Sequence, residues 1–396
     1  MTHNRHLTYS SMFIMIGYSA AFAILPVVLD DLILKFSLSG GQEGIMSSFI
    51  SLGALSALLG STYLQGRVRK ALVIIFAGIS ASIVLLIIGL SPGFILILAC
   101  FFLQGFFLGG LLDAFINAFI VDLNPGNSGR YISSLHAWFG TGGLIAPIAF
   151  LQIMLYFGWQ AVYLIAAVFL LFFTLPFTII NIKAGRDSAL AVKKDSKLNI
   201  NAIKQFFSSR RNLILLTCMF FYCATQNTHV LWIIRYMTIV LNNPGFGAIA
   251  LSGFWICCTI CRFVMPHLPG KPMFKFALGM LPATISLAVG LLSGSSVIMI
   301  ITSCLFGLFA GHSIPTLINE CAKEYQGATT FPSMIMILTM HIAGVIMPVI
   351  IGMAIGRFSL QNAILLLPLS ALLAALSGFV FLSHQRRNLG TVSRNL

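Results

Sequence analysis

KAGRDSALAVKKDSKLNINAIKQFFSSRR, residues 183–211, is the one long polar stretch in a chain otherwise built of apolar runs. It carries Lys183, Arg186, Lys193, Lys194, Lys197, Lys204, Arg210 and Arg211 against two acids, Asp187 and Asp195. Before it lie apolar segments at 9–34, 43–65, 70–91, 93–122, 130–157 and 159–182. After it they lie at 212–237, 246–265, 272–293, 296–320, 328–356 and 360–383. Each is about as long as the ~20 residues a helix needs to cross ~30 Å of hydrocarbon. The pattern predicts an all-α polytopic membrane protein with twelve transmembrane helices, six before the linker and six after it. The expected divisions are a six-helix bundle over 1–183, a basic linker over 184–211 and a second six-helix bundle over 212–396.

If the segments alternate in direction, nearly all of the 23 basic residues fall on one face; only Lys35, Arg235 and Arg357 lie at or near the other. Basic residues collect on the cytoplasmic side, so both termini and the linker are expected there, in a bacterial-type cytoplasmic (inner) membrane. Composition agrees: 58% of residues are hydrophobic, 8% are charged and the mean hydropathy is +0.98. A soluble domain carries about 25% charged residues, which excludes that class. The net charge of +14 is accounted for by loops facing anionic lipid, with Arg67, Arg69 and Lys70 beside the linker, rather than by nucleic-acid binding. The opening MTHNRHLTYSS is too polar for a signal peptide, and the apolar run after it is too long, so that run is expected to remain as the first membrane helix.

The eight cysteines lie in apolar segments or at their edges, where cysteine is usually a small buried hydrophobe. Cys257, Cys258 and Cys261 have no histidine or carboxylate beside them at metal-ligand spacing, so neither a metal nor a cofactor is expected. No nucleophile–base pairing or phosphate loop appears among the polar positions, which argues against an enzyme. Within the linker, Leu198, Ile200, Ile203, Phe206 and Phe207 recur at near-helical spacing, consistent with a surface-lying helix or with a solvated tether. Pro26, Pro147, Pro315, Pro332 and Pro348 fall in or near segments, where each predicts a kink.

Polar groups at membrane depth carry the functional signal, because an ionisable group there is costly. Asp113 stands about nine residues from the cytoplasmic end of its segment, ~13 Å deep at the helical rise. Asn117 lies one turn on, on the same face. Such an acid serves as a solute or proton site, or as a neutral packing carboxyl. His136 lies in the next segment with Trp138 and Phe139, either a titratable ring beside aromatics able to stack on a sugar face or an interhelical hydrogen-bond donor. The stretch Tyr222-Cys-Ala-Thr-Gln226-Asn227-Thr-His229-Val-Leu-Trp232 offers hydrogen bonders and an aromatic suited to a polyhydroxylated solute; a polar packing seam is the alternative. Asp30 and Asp31, near the outer end of the first segment, are solvated helix-end carboxylates or further candidates for proton coupling. His312 and His341 are read as packing residues, and Arg235 as a snorkelling cation.

Six segments, a basic loop and six more resemble the major facilitator superfamily, in which two bundles rock about a site near the midplane. The loop Gly60–Lys70 keeps that family's basic residues but lacks its acid. Within the superfamily, Gly110-Leu-Leu-Asp113-Ala-Phe-Ile-Asn117, with Asn124-Pro125 and Ser128-Gly129, resembles the fucose permease-like branch, the fucose–galactose–glucose:proton symporters. Tyr222, Gln226, Arg235-Tyr236, Arg262, Pro315-Thr316, Pro348 and Gly352 are similar to that branch as well. The resemblance implies that Asp113 takes the place of a sugar-binding acid and His136 that of a sugar-binding glutamine. Pro26 replaces the first-helix aspartate tied there to proton coupling. The expected function is thus alternating-access transport of a small, sugar-like solute by proton symport, through a monomer whose partners are solute, protons and the bilayer. Asp113, Asn117, His136, Trp138, Gln226, Asn227 and Trp232 are the expected solute contacts. The alternative is proton-coupled export of amphipathic compounds.

Overall fold

The computed structural model describes residues 2–64, 67–91, 93–124, 128–183, 200–325 and 330–392. The rest of the linker, 184–199 with Leu198, lies outside the described residues, as do Gly66 and Pro125. Those described form helices and no strand. The first half holds α1 (Thr2–Phe22), α2 (Ile24–Phe36), α3 (Gly40–Leu64), α4 (Lys70–Leu90), α5 (Phe94–Gln104), α6 (Asp113–Leu123) and α7 (Ser128–Lys183). The second holds α8 (Ile200–Ser208), α9 (Arg210–Arg235), α10 (Pro244–Val264), α11 (Pro272–Leu292), α12 (Ser296–Ala310), α13 (Ser313–Ala322), α14 (Thr330–Arg357), α15 (Leu360–Ala363) and α16 (Leu366–Val392). Two π-helical segments, Gly105–Leu112 and Tyr236–Val240, join α5 to α6 and extend α9. The chain divides into two compact units, Met1–Ser196 and Lys197–Leu396.

Local chemistry sets the ends of these elements. Pro244 and Pro272 open α10 and α11, where a missing N–H costs nothing. Ser295 and Ser359 cap α12 and α15 by accepting from Ile298 N and Asn362 N. Ser37, in the left-handed region (φ 50), closes α2. Apolar segments 130–157 and 159–182 are continuous in α7 except for one corner, Gly158 (φ 81, ψ 169), a backbone conformation that a side chain would strain. Among the described residues, ten helical stretches are long and apolar enough to cross a membrane; α7 counts once among them and α9 is not included.

Pro26 and Pro315 mark interruptions rather than mid-helix bends. The first segment breaks at Ala23, so that Pro26 falls in the opening turn of α2. The tenth breaks at Gly311–His312, and Pro315 sits in the first turn of α13. Each break frees carbonyls that must find donors. Gln104 Nε2 donates to Ala21 O (3.2 Å), and Arg262 Nε donates to Gly311 O (3.0 Å).

Within each unit small residues let backbones touch. A Cβ on Gly105 would sit 1.8 Å from Ile50 O, and one on Gly53 would sit 1.9 Å from Phe102 O, so α3 lies flush against the α5–π segment. In the second unit Gly307 meets Phe254 O in the same way. Ion pairs hold the helix ends: Lys70–Asp122 (2.7 Å) in the first unit, Arg211–Glu320 and Arg211–Glu324 (both 3.1 Å) in the second.

Candidate functional site

In the first unit the site grows from the π segment. A π turn inserts an extra residue into the helical ladder and re-aims the side chains beyond it. Here it ends immediately before Asp113, the first residue of α6. Asn117, one turn on, donates Nδ2 to both the backbone carbonyl (2.8 Å) and Oδ1 (3.1 Å) of Asp113. The carboxylate therefore has a neutral amide partner at Oδ1, and Oδ2 has no hydrogen bond among the described residues. Across from it, on α1, the Tyr18 hydroxyl lies within electrostatic range of Asp113. The Tyr18 ring packs edge-on against Phe139 of α7, centroids 5.1 Å apart. Gly142, one turn beyond Phe139, meets Ile16 O so closely (2.5 Å for a built Cβ) that α1 and α7 touch there and the two rings meet.

His136 is half-buried one turn before Phe139 on α7. Trp138 belongs to a different row: it packs on Phe13 (5.2 Å), which stacks on Phe173 (6.2 Å). Asp30 and Asp31 are half-buried on α2, beyond the break at Ala23. Sequence reasoning missed Tyr18 and the π segment. The clustered glycines 105, 109 and 110 before the acid were the available signal for the second; Tyr18 carries no local signal.

In the second unit α9 turns its polar face into its own bundle. Tyr222 Oη donates to Gln226 Oε1 (2.7 Å), and both residues are buried. Thr225 shares a hydrogen bond with Ser370 of α16 (2.9 Å). The His229 ring is held between Phe254 of α10 (5.0 Å) and Phe306 of α12 (5.2 Å). Trp232 is fully buried, and its Nε1 has no hydrogen-bond acceptor among the described residues. Asn227 is half-buried on a separate side of the helix from Gln226. His312 contacts Cys261 Sγ through Nδ1 (3.5 Å), and His341 is half-buried on α14. Among the described residues no group of three or more His, Cys, Asp or Glu is arranged to hold a metal ion.

Irregular backbone interrupts several of the apolar segments in both halves. The first and fourth apolar segments carry the Ala23 break and the Gly105–Leu112 π segment; the seventh and tenth carry the Tyr236–Val240 π segment and the Gly311–His312 break. Discontinuous helices of this kind are tolerated at membrane depth where they line a cavity.

Comparison with known proteins places these features in a family. The model of the Major Facilitator Superfamily matches residues 7–335. Among solved structures, a peptide transporter POT in complex with sulfate is 14% identical, with a TM-score of 0.75 over 96% of this chain and 94% of that one. A bacterial homolog of the human lysosomal transporter Spinster, inward-facing and unoccupied, is 15% identical, with a TM-score of 0.69 over 96% and 95%. The Major Facilitator Superfamily transporter FucP, in its outward conformation, is 16% identical, with a TM-score of 0.68 over 94% and 98%. At these identities the likeness is one of fold. No curated protein matches the sequence.

Proposed function

The chain belongs to the Major Facilitator Superfamily, a family of multi-pass membrane transporters, and from that premise we propose that it moves a small polar, sugar-like solute together with protons. In this reading α7 divides at Gly158 and α9 with its π extension also spans, which brings ten spans to twelve. Two six-helix bundles then flank the 184–211 linker, with linker and termini in the cytoplasm of a bacterial-type cell, and the working unit is a monomer.

The observation that supports the reading is the Asp113–Asn117 pair, which follows a π segment and has Tyr18, itself packed on Phe139, within electrostatic range. A carboxylate and an amide together accept from and donate to sugar hydroxyls, and an aromatic face covers the apolar side of the ring. The same carboxylate supplies a proton site. A charge enclosed with a neutral solute is costly, and taking up a proton is the cheapest way to remove it. His136, Trp138, Gln226, Asn227 and Trp232 complete the solute contacts in this reading. Asp30 and Asp31 remain reserve proton sites on the outer part of the first segment.

Uptake of labelled sugars and organic acids into proteoliposomes, with and without an inward-acidic proton gradient, tests the proposal. Accumulation of one sugar that depends on the gradient supports it. Efflux of amphipathic compounds without sugar uptake would replace it with the exporter reading.

A further inference from the structure

Along one side of the second unit an open cleft of about 480 Å³ runs between α9 and α14. Leu213, Thr217 and Phe221 line it from α9, Ile335, Leu338 and Ile342 from α14, and Phe207 of α8 adds to the lining. From Leu213 to Phe221 the apolar wall extends ~12 Å along the helix. The lining is almost wholly hydrocarbon, on the scale of one acyl chain. A folded partner would need a broader face.

Charge sits next to Phe207 and Leu213. Lys204 is exposed one turn before Phe207 on α8, and Arg210 is exposed one turn before Leu213 on α9. Each cation therefore shares a helix face with a residue of the cleft. The platform that carries them is fixed: Asn212 Nδ2 donates to Phe206 O (3.2 Å) and to Tyr325 Oη (2.7 Å), and the rings of Phe206 and Tyr325 lie 5.8 Å apart. α8 is thus a short amphipathic helix pinned beside an apolar cleft, with exposed Lys204 and Arg210 each one turn from a lining residue.

We propose that this cleft is a binding site for one anionic phospholipid, its acyl chain between α9 and α14 and its phosphate at Lys204 and Arg210. These cations select against zwitterionic headgroups, and the cleft holds a chain more firmly than the general lipid annulus does. The proposal stands apart from the transport reading, because it concerns lipid retention alone.

Native mass spectrometry of the full-length protein, released from nanodiscs of equal phosphatidylglycerol and phosphatidylcholine with matched chains, provides the test. The expected result is one tightly retained phosphatidylglycerol per chain. The Lys204→Ala/Arg210→Ala double variant should lower that preference about tenfold or more, given the attraction each basic residue contributes near anionic lipid. Thr217→Trp, at an exposed position of the cleft wall, should remove the retained lipid whatever its headgroup. Both variants change exposed side chains, and gel filtration confirms that they remain folded. Equal retention of the two lipids by the unaltered protein, or an unchanged adduct in both variants, overturns the proposal. So does a shift from dimer to monomer in Thr217→Trp with lipid retention intact, which would assign the cleft to a contact between copies.

Discussion

Asn117 grips Asp113 twice, at the backbone carbonyl (2.8 Å) and at carboxylate Oδ1 (3.1 Å). The amide donates to the same oxygen whether the acid is charged or protonated, so the side chain keeps its orientation through a proton cycle. An ionic partner would instead lock the acid in its charged form.

Asn117→Leu removes that donor and leaves the carboxylate to find water or solute. The expected outcome is a weakening of solute affinity of roughly two- to tenfold, the scale of one hydrogen bond to a neutral group, with folded yield unchanged. Unaltered affinity in a binding assay would place the pair outside the solute path.

In the second unit, Gln226→Ala deletes the acceptor of the buried Tyr222 hydroxyl as well as the proposed solute contact. It should therefore cost folded stability by ~1–3 kcal/mol in addition to affinity. Asn227→Ala, at a half-buried position, should weaken binding roughly two- to tenfold with little effect on thermal stability. Equal stability losses in the two variants would show that Asn227 is also a packing residue.

The segments themselves were legible in the sequence, because lipid demands length and apolarity that a single chain displays openly. Asp113 and Asn117 were legible too, since a spacing of four places them on one helical face. The π segment was not: apart from their glycines, residues 105–112 read as ordinary apolar helix, and the seating of α3 against Gly105 is a long-range contact. Tyr18 was hidden for a related reason. Its meeting with Phe139 depends on α1 lying against α7, a long-range contact to which no local pattern points. Arg262 was visible as a cation, but its bond to the freed Gly311 carbonyl requires the break in the tenth segment to be known first.

That backbone seating is itself testable. Gly105→Ala places a Cβ 1.8 Å from Ile50 O, where only movement of α3 or the π segment can relieve the overlap. Destabilisation of ~1–3 kcal/mol is expected, read as a lower midpoint of thermal unfolding in detergent. Gly60→Ala is the control, because nothing lies within 4 Å of a Cβ there. Equal midpoints for the two variants would mean that the close approach bears no load.

At the ends of α9 and α13, Arg211 pairs with Glu320 and Glu324, while Lys323 also contacts Glu320. The Glu320 side chain is only 6% exposed and that of Lys323 is 56% exposed. Removing Arg211 leaves a buried carboxylate with one solvated partner, so Arg211→Ala should destabilise by up to ~3 kcal/mol. Lys323→Ala removes a screened surface charge and should cost below ~1 kcal/mol. A larger loss in the lysine variant would reverse this ranking.

The proposed proton site gives the most demanding prediction. Asp113→Asn keeps the size and hydrogen-bonding reach of the side chain, and Asn117 can still donate to the new amide oxygen. What it loses is the ability to exchange a proton. With no ionisable group left at this position, a proton gradient has nothing here to act on, but the solute can still bind and the bundles can still alternate. The variant should therefore fail to concentrate solute against its gradient in proteoliposomes at any external pH, while counterflow exchange of labelled for unlabelled solute continues within about tenfold of the original rate, the scale of one altered hydrogen bond. Retained uphill accumulation would move the coupling to Asp30 or Asp31, and the same pair of assays on Asp30→Asn and Asp31→Asn would then identify which. Loss of exchange together with accumulation, in a folded variant, would make Asp113 a solute contact without a part in coupling.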